Sequence, residues 1–328
     1  MDKTIFQTCV GELDNIRNTE TNQPKALITA PPKIPIKDVL TLMAKNNILC
    51  LPIQSHQDAN RVVNLVNLFD ILTYLVQEVS KSVGNISQSQ KPDIHWRRTL
   101  DSSTMLSPEI YRKLKEPIEN VMTLDSERES YRLFTCSISD TLKKVISAFG
   151  SGIHRAVVLD SEGNPKHILT QMDIVRHLNA HPELLPAEID TKKDLMELGL
   201  YSKKNITFVD ENTATISAYR QMADNRFTSL VVIDSQSGKV ISNLSASSLR
   251  GLNSNNLEQI LLPVKRFMKE SPRGLRPLVF CPSTYKFWEL IVALVTKNSH
   301  HAWLVDDNHK PCSSISPTDI FRLVASCK

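Results

Sequence analysis

The chain repeats one short pattern four times, and this internal repeat limits the possible fold more than any other feature. The phrase HILTQMDIVRHL at residues 167–178 returns as SSISPTDIFRLV at residues 313–324, and two weaker copies end in LFDILTYL and SASSLRGL. Each copy joins an apolar strand to a polar turn and then to a segment with helical periodicity. The pattern therefore predicts an array of similar units. The key positions, spaced by 103, 75 and 71 residues, are Asp70, Asp173, Ser248 and Asp319.

Each unit shows the same order of predicted elements. A helix-periodic segment precedes a β-rich run, which reads LCLPIQ, RAVVLD, SLVVID and HAWLVD in turn. A turn rich in small and polar residues, clearest in SEGNP and SQSG, joins this run to a second strand. The order predicts an α/β (α+β) fold built from four tandem βαββα repeats. Because one such unit is too small to bury both faces of its sheet, we expect neighbouring units to pack sheet against sheet as two modules.

The repeats also divide the chain into segments. The polar run SKSVGNISQSQKP lengthens the first interval between repeats, and its composition is typical of a solvated linker. Trp96, which stands between His95 and Arg97, is either the anchor of a flexible loop or a docking point for a partner. Repeats 1 and 2 would form one module at 24–181, and repeats 3 and 4 a second at 191–328. The expected segments are an N-terminal segment at 1–23, repeat 1 at 24–76, a polar insertion at 77–114, repeat 2 at 115–181, repeat 3 at 191–252 and repeat 4 at 258–328.

Composition excludes several classes of protein. The 328 residues are 41% hydrophobic and 23% charged, and the formal net charge of +4 is too mild to indicate a nucleic-acid partner. The opening residues carry acids where a signal peptide needs an apolar stretch, and the longest apolar run, ELIVALV, is too short to span a bilayer. We therefore expect a cytoplasmic or nuclear protein without a membrane partner.

The sequence carries no catalytic signature. Its nine glycines form neither a phosphate-binding loop nor a dinucleotide-binding turn. The six cysteines stand far apart, so we expect reduced thiols rather than a zinc knuckle or a redox pair. A metal site at His300, His301, His309 and Cys312 would match no strong zinc spacing. We expect a protein that is not an enzyme and holds neither a metal nor a prosthetic group.

Two repeats place a hydroxyl residue three positions before an acid at a predicted helix start. Thr170 precedes Asp173 in this way, and Ser316 precedes Asp319. This spacing is that of a capping box, in which the hydroxyl and the acid each accept a backbone N–H. A carboxylate at a helix start can also accept hydrogen bonds from vicinal hydroxyls, as in sites where an acid holds a ribose. Taken singly, the two motifs are more typical of helix caps.

Histidines at matching positions favour a ligand. His154 precedes Asp173 by 19 residues, and His300 precedes Asp319 by the same interval. A basic or second imidazole side chain follows each histidine at the start of a strand. Such groups would bind phosphate, while apolar strand residues could enclose a base.

With these motifs the sequence resembles cystathionine-β-synthase (CBS) domains arranged as two Bateman modules. The phrases GIHRAVVLD…HILTQMDIVRHL and NSHHAWLVD…SSISPTDIFRLV carry the likeness, which covers about nine tenths of the chain. The chain most resembles the γ regulatory subunit of AMP-activated and sucrose-non-fermenting-type protein kinases. Its last two repeats also resemble the plant γ-like and the fungal phosphatase-inhibitor CBS branches. The resemblance implies a flat disc of four repeats, with nucleotide clefts around a central channel.

The resemblance also implies roles for individual residues. The motif acids would hold the ribose hydroxyls of AMP, ADP or ATP, the preceding hydroxyl residues would lie at the adenine end, and the basic pairs would contact phosphates. His301 stands where the family has arginine, so we expect a partial charge at neutral pH and weaker, pH-dependent phosphate binding. The implied nucleotide contacts are Thr170, Asp173, Ser316, Asp319, His154, Arg155, His300 and His301.

Repeats 1 and 3 depart from the family pattern. Repeat 1 keeps Asp70, which is either a nucleotide contact or a helix cap, but has Leu49 and Cys50 at the basic pair. Repeat 3 has Ser248 at the acid position and Thr228 at the histidine position, so we expect no ribose contact there. The expected function is a non-catalytic regulatory subunit that binds adenine nucleotides and the catalytic and scaffold subunits of a protein kinase. The alternative is a CBS scaffold with degenerate ligand sites that regulates a protein phosphatase or another partner by direct binding.

Overall fold

The computed structural model describes residues 3–13, 27–83, 106–122, 133–201, 206–271, 278–282 and 284–327, with backbone alone for 78–83. Trp96 and the basic residues beside it lie outside these ranges. The helices are α1 Ile36–Lys45, α2 Leu68–Val83, α3 Pro108–Lys113, α4 Glu119–Met122, α5 Leu142–Gly150, α6 Gln171–Ala180, α7 Thr215–Asp224, α8 Val264–Glu270, α9 Phe287–Thr296 and α10 Pro317–Ala325. The strands are β1 Cys50–Gln54, β2 Val62–Asn67, β3 Thr135–Ser137, β4 Arg155–Leu159, β5 Pro165–Thr170, β6 Phe208–Asp210, β7 Ser229–Ile233, β8 Val240–Ser245, β9 Phe280–Cys281, β10 Ala302–Val305 and β11 Pro311–Ile315.

Each repeat contributes one small sheet. In repeats 2 to 4 a short first strand pairs in parallel with the second, which pairs antiparallel with the third. In repeat 1 the first strand is reduced to a parallel bridge between Ala30 and Ile53. The predicted α/β (α+β) fold of four tandem repeats is therefore confirmed, and the full βαββα order is present in repeats 2 and 4.

Sheets of sequential repeats face each other. Val157 of repeat 2 packs against Cys50 and Leu65 of repeat 1, and Val231 of repeat 3 packs against Trp303 of repeat 4. Apolar residues on these strand faces are removed from water by the neighbouring sheet. The expected pairing into two modules, of repeats 1 and 2 and of repeats 3 and 4, is confirmed.

Helices join the two modules. The rings of Phe149 in α5 and Phe321 in α10 meet edge to face with centroids 5.9 Å apart. Gly150 lies so close to α10 that an added Cβ would stand 3.0 Å from the carbonyl oxygen of Phe321. Phe69 of α2 and Tyr219 of α7 make the matching contact at 6.0 Å. Repeat 2 thus shares a core with repeat 4, and repeat 1 with repeat 3, so the four repeats surround a common centre.

A left-handed residue follows the first helix of every repeat. The φ angles are 53° at Asn47, 108° at Gly152, 58° at Arg226 and 47° at Asn298. Glycine and asparagine are favoured at such helix ends, whereas arginine is unusual there. The shared turn places the next three residues equivalently in all four repeats, which explains why the histidines keep their register.

Each first helix is also preceded by an antiparallel contact with a distant segment. We call the four distant segments straps: residues 106–117, 5–13, 262–264 and 193–195, for repeats 1 to 4 in turn. Each strap forms an antiparallel bridge with a residue just before α1, α5, α7 or α9. The bridging pairs are Pro35 with Pro117, Cys9 with Thr141, Ala214 with Pro263, and Asp194 with Lys286.

Two straps come from segments that the sequence analysis set apart. Ile5, Val10 and Leu13 near the N-terminus are fully buried in the core of repeats 2 and 4. Within the segment assigned to a solvated insertion, residues 106–114 pack into the core of repeats 1 and 3 through Ile110 and Leu114. These contacts join residues far apart in sequence, so local polarity does not predict them.

The prediction of a final α-helix in repeat 3 is wrong. The chain forms only a 3-10 helix at Ala246–Leu249 before it turns at Gly251, where φ is 91°. Serine side chains compete for backbone hydrogen bonds, and residues 245–249 contain three of them. Among the described residues no helix has the length and apolarity needed to cross a membrane. All six cysteines are free thiols.

Candidate functional site

A cavity of about 640 Å³ lies where the four repeats meet, and we call it the central cavity. Its volume is in the range of small-molecule sites. All four repeats line it, chiefly through the turns that follow their first helices and the starts of their final helices. The sequence-predicted site residues on its wall are Asp70, His154, Arg155, Thr170, His300, His301 and Ser316.

The wall of the central cavity is basic. Arg155 and Arg176 come from repeat 2, and Arg226 and Arg250 from repeat 3. Among the described lining residues, Asp70 is the one acid. A concave site with an excess of guanidinium groups concentrates a positive potential, which favours anions.

In repeats 1 to 3 the carbonyl oxygen of the second residue after the left-handed residue accepts a backbone N–H from the start of the final helix or 3-10 helix. In repeat 2 the carbonyl oxygen of His154 accepts the N–H of Gln171 at 3.2 Å, at the start of α6. The carbonyl oxygen of Thr228 accepts the N–H of Ala246 in the same way at 3.0 Å. Arg155 pairs with Thr170 across β4 and β5, so the two residues lie opposite each other on neighbouring strands. Strand register therefore brings the two motifs of one repeat together.

The motif carboxylates cap their own helices. Oδ2 of Asp173 accepts the backbone N–H of Thr170 at 2.8 Å and its hydroxyl at 2.7 Å, while Oδ1 accepts Nη1 of Arg176 at 3.1 Å. Asp319 accepts the same two groups of Ser316 at 2.8 and 2.7 Å. Both carboxylates therefore form the helix caps that the spacing predicts.

The caps keep the two carboxylates away from the cavity surface. Neither Asp173 nor Asp319 is among the described residues that line the central cavity, although Thr170 and Ser316 are. Each carboxylate also binds an arginine three residues later, Arg322 lying 3.2 Å from Oδ1 of Asp319. A ribose would have to compete with these donors to reach either acid.

Asp70 combines a cap with a place on the cavity wall. Its carboxylate accepts the N–H of Asn67 at 2.9 Å, and the side-chain oxygen of Asn67 accepts the N–H of Asp70 at 2.9 Å. The residue is 2% exposed. The helix-cap interpretation of Asp70 is therefore realised too.

His301 has an environment that differs from the sequence expectation. Burial and, to a lesser extent, the neighbouring His154 lower the pKa of His301 to about 4, and Asp319 opposes the shift. Its ring stacks on Trp303 with an interplanar angle of 18°. The expected partial charge is wrong, because an imidazole with this pKa is neutral at pH 7. Its Nδ1 is buried and has no hydrogen-bond partner within the part of the chain that the structure describes.

Sequence reasoning missed three arginines. Arg176 could have been found from its spacing, because it stands three residues after the motif acid on the same helix. Arg226 occupies the position of Asn47, Gly152 and Asn298, which an alignment of the four turns would have shown. No local signal marks Arg250, because its place on the wall depends on packing between repeats.

In the described ranges no three His, Cys, Asp or Glu side chains are grouped as a metal site.

Comparisons with known proteins agree with this architecture. The family model described as the CBS domain matches residues 24–77 and 120–180. The chain is 24% identical over 315 residues to Protein SDS23 of Candida albicans. This alignment covers 91% of this chain and 49% of that protein. It is 22% identical over 227 residues to 5'-AMP-activated protein kinase subunit gamma-3 of Homo sapiens, with coverages of 65% and 46%. The chain spans about half the length of these curated relatives.

A solved structure shows the same fold. It is a protein of Methanocaldococcus jannaschii described as a putative archaeal homolog of g-AMPK. The TM-score is 0.64, with 94% of this chain and 99% of that chain covered. The sequence identity is 15%, so the likeness concerns the fold alone.

Proposed function

We propose that the chain, which matches the CBS domain at residues 24–77 and 120–180, is a non-catalytic regulatory protein that binds adenine nucleotides in its central cavity. AMP, ADP and ATP are the proposed ligands. The proposed partners are the catalytic and scaffold subunits of an AMP-activated or sucrose-non-fermenting-type protein kinase, in the cytoplasm or the nucleus. The similarity to the gamma-3 kinase subunit supports this assignment.

The observation that carries the proposal is the basic wall of a cavity that all four repeats line. Arg155 and Arg226 lie on it in different modules. Guanidinium groups bind phosphate oxygens through charge-assisted hydrogen bonds, so a nucleotide suits this cavity better than a neutral metabolite does. His300 and His301 supply further polar atoms from repeat 4.

The nucleotide contacts divide into two classes. We propose that Arg155, with His154 and His300, binds phosphates, while Thr170 and Ser316 border the adenine. Asp173 and Asp319 remain the proposed ribose contacts, which requires a hydroxyl to replace the arginine that each carboxylate now binds.

Regulation would follow from exchange among the nucleotides. A ligand changes a conformational equilibrium only if its affinities for the two states differ. Because AMP, ADP and ATP differ in charge, the basic wall is the part of the site that distinguishes them. A change in relative module position would then reach a bound kinase.

Calorimetric titration with AMP, ADP and ATP tests the proposal. We expect saturable binding to the unmodified protein and a loss of about ten-fold to a hundred-fold in affinity for Arg155→Ala, since hydrogen bonds to charged groups contribute about 1.5–3 kcal/mol. Asp173→Ala and Asp319→Ala should weaken binding by a similar factor if these acids hold ribose.

The matched control is Asp140→Ala. Asp140 also accepts a backbone N–H three residues earlier, from Ser137 at 3.0 Å, but Ser137 does not line the cavity, whereas Thr170 and Ser316 do. The control variant should leave nucleotide affinity unchanged. Absence of saturable binding to the unmodified protein would refute the nucleotide function, and unchanged affinity in both acid variants would refute the ribose contacts.

A second candidate function is a scaffold that regulates a protein phosphatase or another partner without a nucleotide. Two observations favour it: both motif acids already bind donors of their own chain, and Protein SDS23 matches 91% of this chain against 65% for the kinase subunit. Affinity purification with mass spectrometry, with and without added nucleotide, separates the two. Recovery of a phosphatase that is indifferent to nucleotide would favour the scaffold.

A further inference from the structure

Two arginines on the wall of the central cavity reach from one module to the other. Nη2 of Arg176 in repeat 2 donates to Oδ1 of Asn298 in repeat 4 at 2.8 Å. Nη1 of Arg250 in repeat 3 donates to the carbonyl oxygen of Asn47 in repeat 1. Both donors follow the start of a final helix or 3-10 helix, and both acceptors belong to the left-handed residue after a first helix. The two contacts therefore join similar elements, although Arg176 stands three residues after the key position Asp173 and Arg250 two residues after Ser248.

Both acceptors are neutral. A side-chain amide oxygen and a backbone carbonyl oxygen bind a guanidinium less strongly than a phosphate oxygen does. The two arginines line the cavity, so an anion in it lies beside groups that now join the modules. Arg176 also donates Nη1 to Asp173. It can therefore exchange the partner of Nη2 while it keeps the bond to Asp173.

We propose that Arg176 and Arg250 are module latches for which a phosphate-bearing ligand competes. They join repeat 2 to repeat 4 and repeat 3 to repeat 1. A phosphate in the central cavity draws the guanidinium groups away from Asn298 and Asn47, so anion binding loosens the junction between modules. The inference deepens the proposed function, because it assigns to the same cavity a means of coupling ligand charge to module position.

The ligand class follows from the number of latches. The latches come from different modules, and one phosphate group has few oxygens with which to engage both. A chain of phosphates offers separate oxygens along its length. Nucleoside di- and triphosphates are therefore expected to release both latches, and a monophosphate one.

The test uses Asn298→Gly on the full chain, with inorganic tripolyphosphate as the probe in calorimetric titrations. Glycine keeps the left-handed backbone at no steric cost and removes the competing amide. We expect tripolyphosphate to bind about three- to ten-fold more tightly, because Arg176 no longer gives up a solvent-exposed hydrogen bond to a neutral amide oxygen. Arg176→Ala should weaken binding instead, and Asn298→Gly should have no further effect in the Arg176→Ala background.

Two substitutions serve as controls. Arg322 binds Asp319 just as Arg176 binds Asp173, but it does not line the cavity, so Arg322→Ala should leave the affinity unchanged. His309 also has a left-handed backbone, with φ of 59°, in an exposed turn away from the cavity. His309→Gly shows what the backbone change does by itself.

The outcomes separate the inference from the proposed function when AMP and ATP are titrated in parallel. If Asn298→Gly fails to tighten tripolyphosphate binding, or tightens it equally without Arg176, the latch proposal is wrong, while saturable ATP binding would still support the nucleotide function. If the latch pattern appears with tripolyphosphate but ATP and AMP do not bind, the nucleotide function is wrong and the latches stand. If no anion binds the unmodified protein, both are wrong.

Discussion

His301 shows how packing changes the chemistry of a single residue. Register alone identified it as the partner of His300, and its position on the cavity wall agrees with that prediction. Its charge could not be predicted from the sequence, because the pKa depends on the burial of the ring and on His154, which lies in another repeat. The sequence thus predicted the position of this residue but not its protonation state.

The lowered pKa of His301 predicts a pH dependence of stability. In the unfolded chain a histidine titrates near 6.5, so between pH 6.5 and about 4 the unfolded state binds a proton that the folded state does not. The free energy of unfolding should therefore fall as the pH drops through this window, by about 2 kcal/mol between pH 7 and pH 5 for this group. Above pH 7 the group makes no further difference.

Urea denaturation of the protein and of His301→Asn at pH 5, 6 and 7 measures this effect. Burial also lowers the pKa of His167, with Asp173 opposing, so some dependence should persist in the variant. The variant should lose less stability than the unmodified protein on acidification. His309→Asn, which removes an exposed imidazole, should follow the unmodified protein. Parallel pH profiles for all three proteins would contradict the account.

At the scale of elements, the repeat made most strands and helices predictable. Alternating apolar residues marked the hairpins, and helical periodicity marked the helices that follow them. A one-residue shift in the pairing of two strands would have exposed the apolar faces of the strands. The straps were not predictable, since each pairs residues that are distant in sequence. The N-terminal strap also lies in a stretch of two short 3-10 helices, Ile5–Gln7 and Val10–Glu12, which lacks a long periodic pattern.

The N-terminal strap is predicted to be part of the folded core. Ile5 is fully buried beside α5, so Ile5→Ala should lower the free energy of unfolding by about 2–5 kcal/mol through lost burial and a residual cavity. Urea denaturation provides the measurement. Met196 is 56% exposed, and Met196→Ala should change stability by about 0.5 kcal/mol or less. An Ile5→Ala protein as stable as this control would show that the strap is dispensable.

At the scale of the whole molecule, the proposed function depends on how the two modules meet. Sheet packing within each module follows from the sequence pattern, because one face of each small sheet needs cover. The contacts between modules place Arg176, Arg226 and Arg250 around one cavity, and no local pattern encodes that arrangement. The sequence therefore predicted the nucleotide ligand through family resemblance, whereas the basic wall that would bind it emerges from the assembled fold.

A crystal structure of the full chain with ATP tests the central claim most directly. We predict that the phosphates lie in the central cavity, within hydrogen-bonding distance of Arg155 and Arg226, with the contact from Arg176 to Asn298 opened. Binding of ATP elsewhere on the protein, or an empty cavity at ATP concentrations well above the measured dissociation constant, would contradict the account.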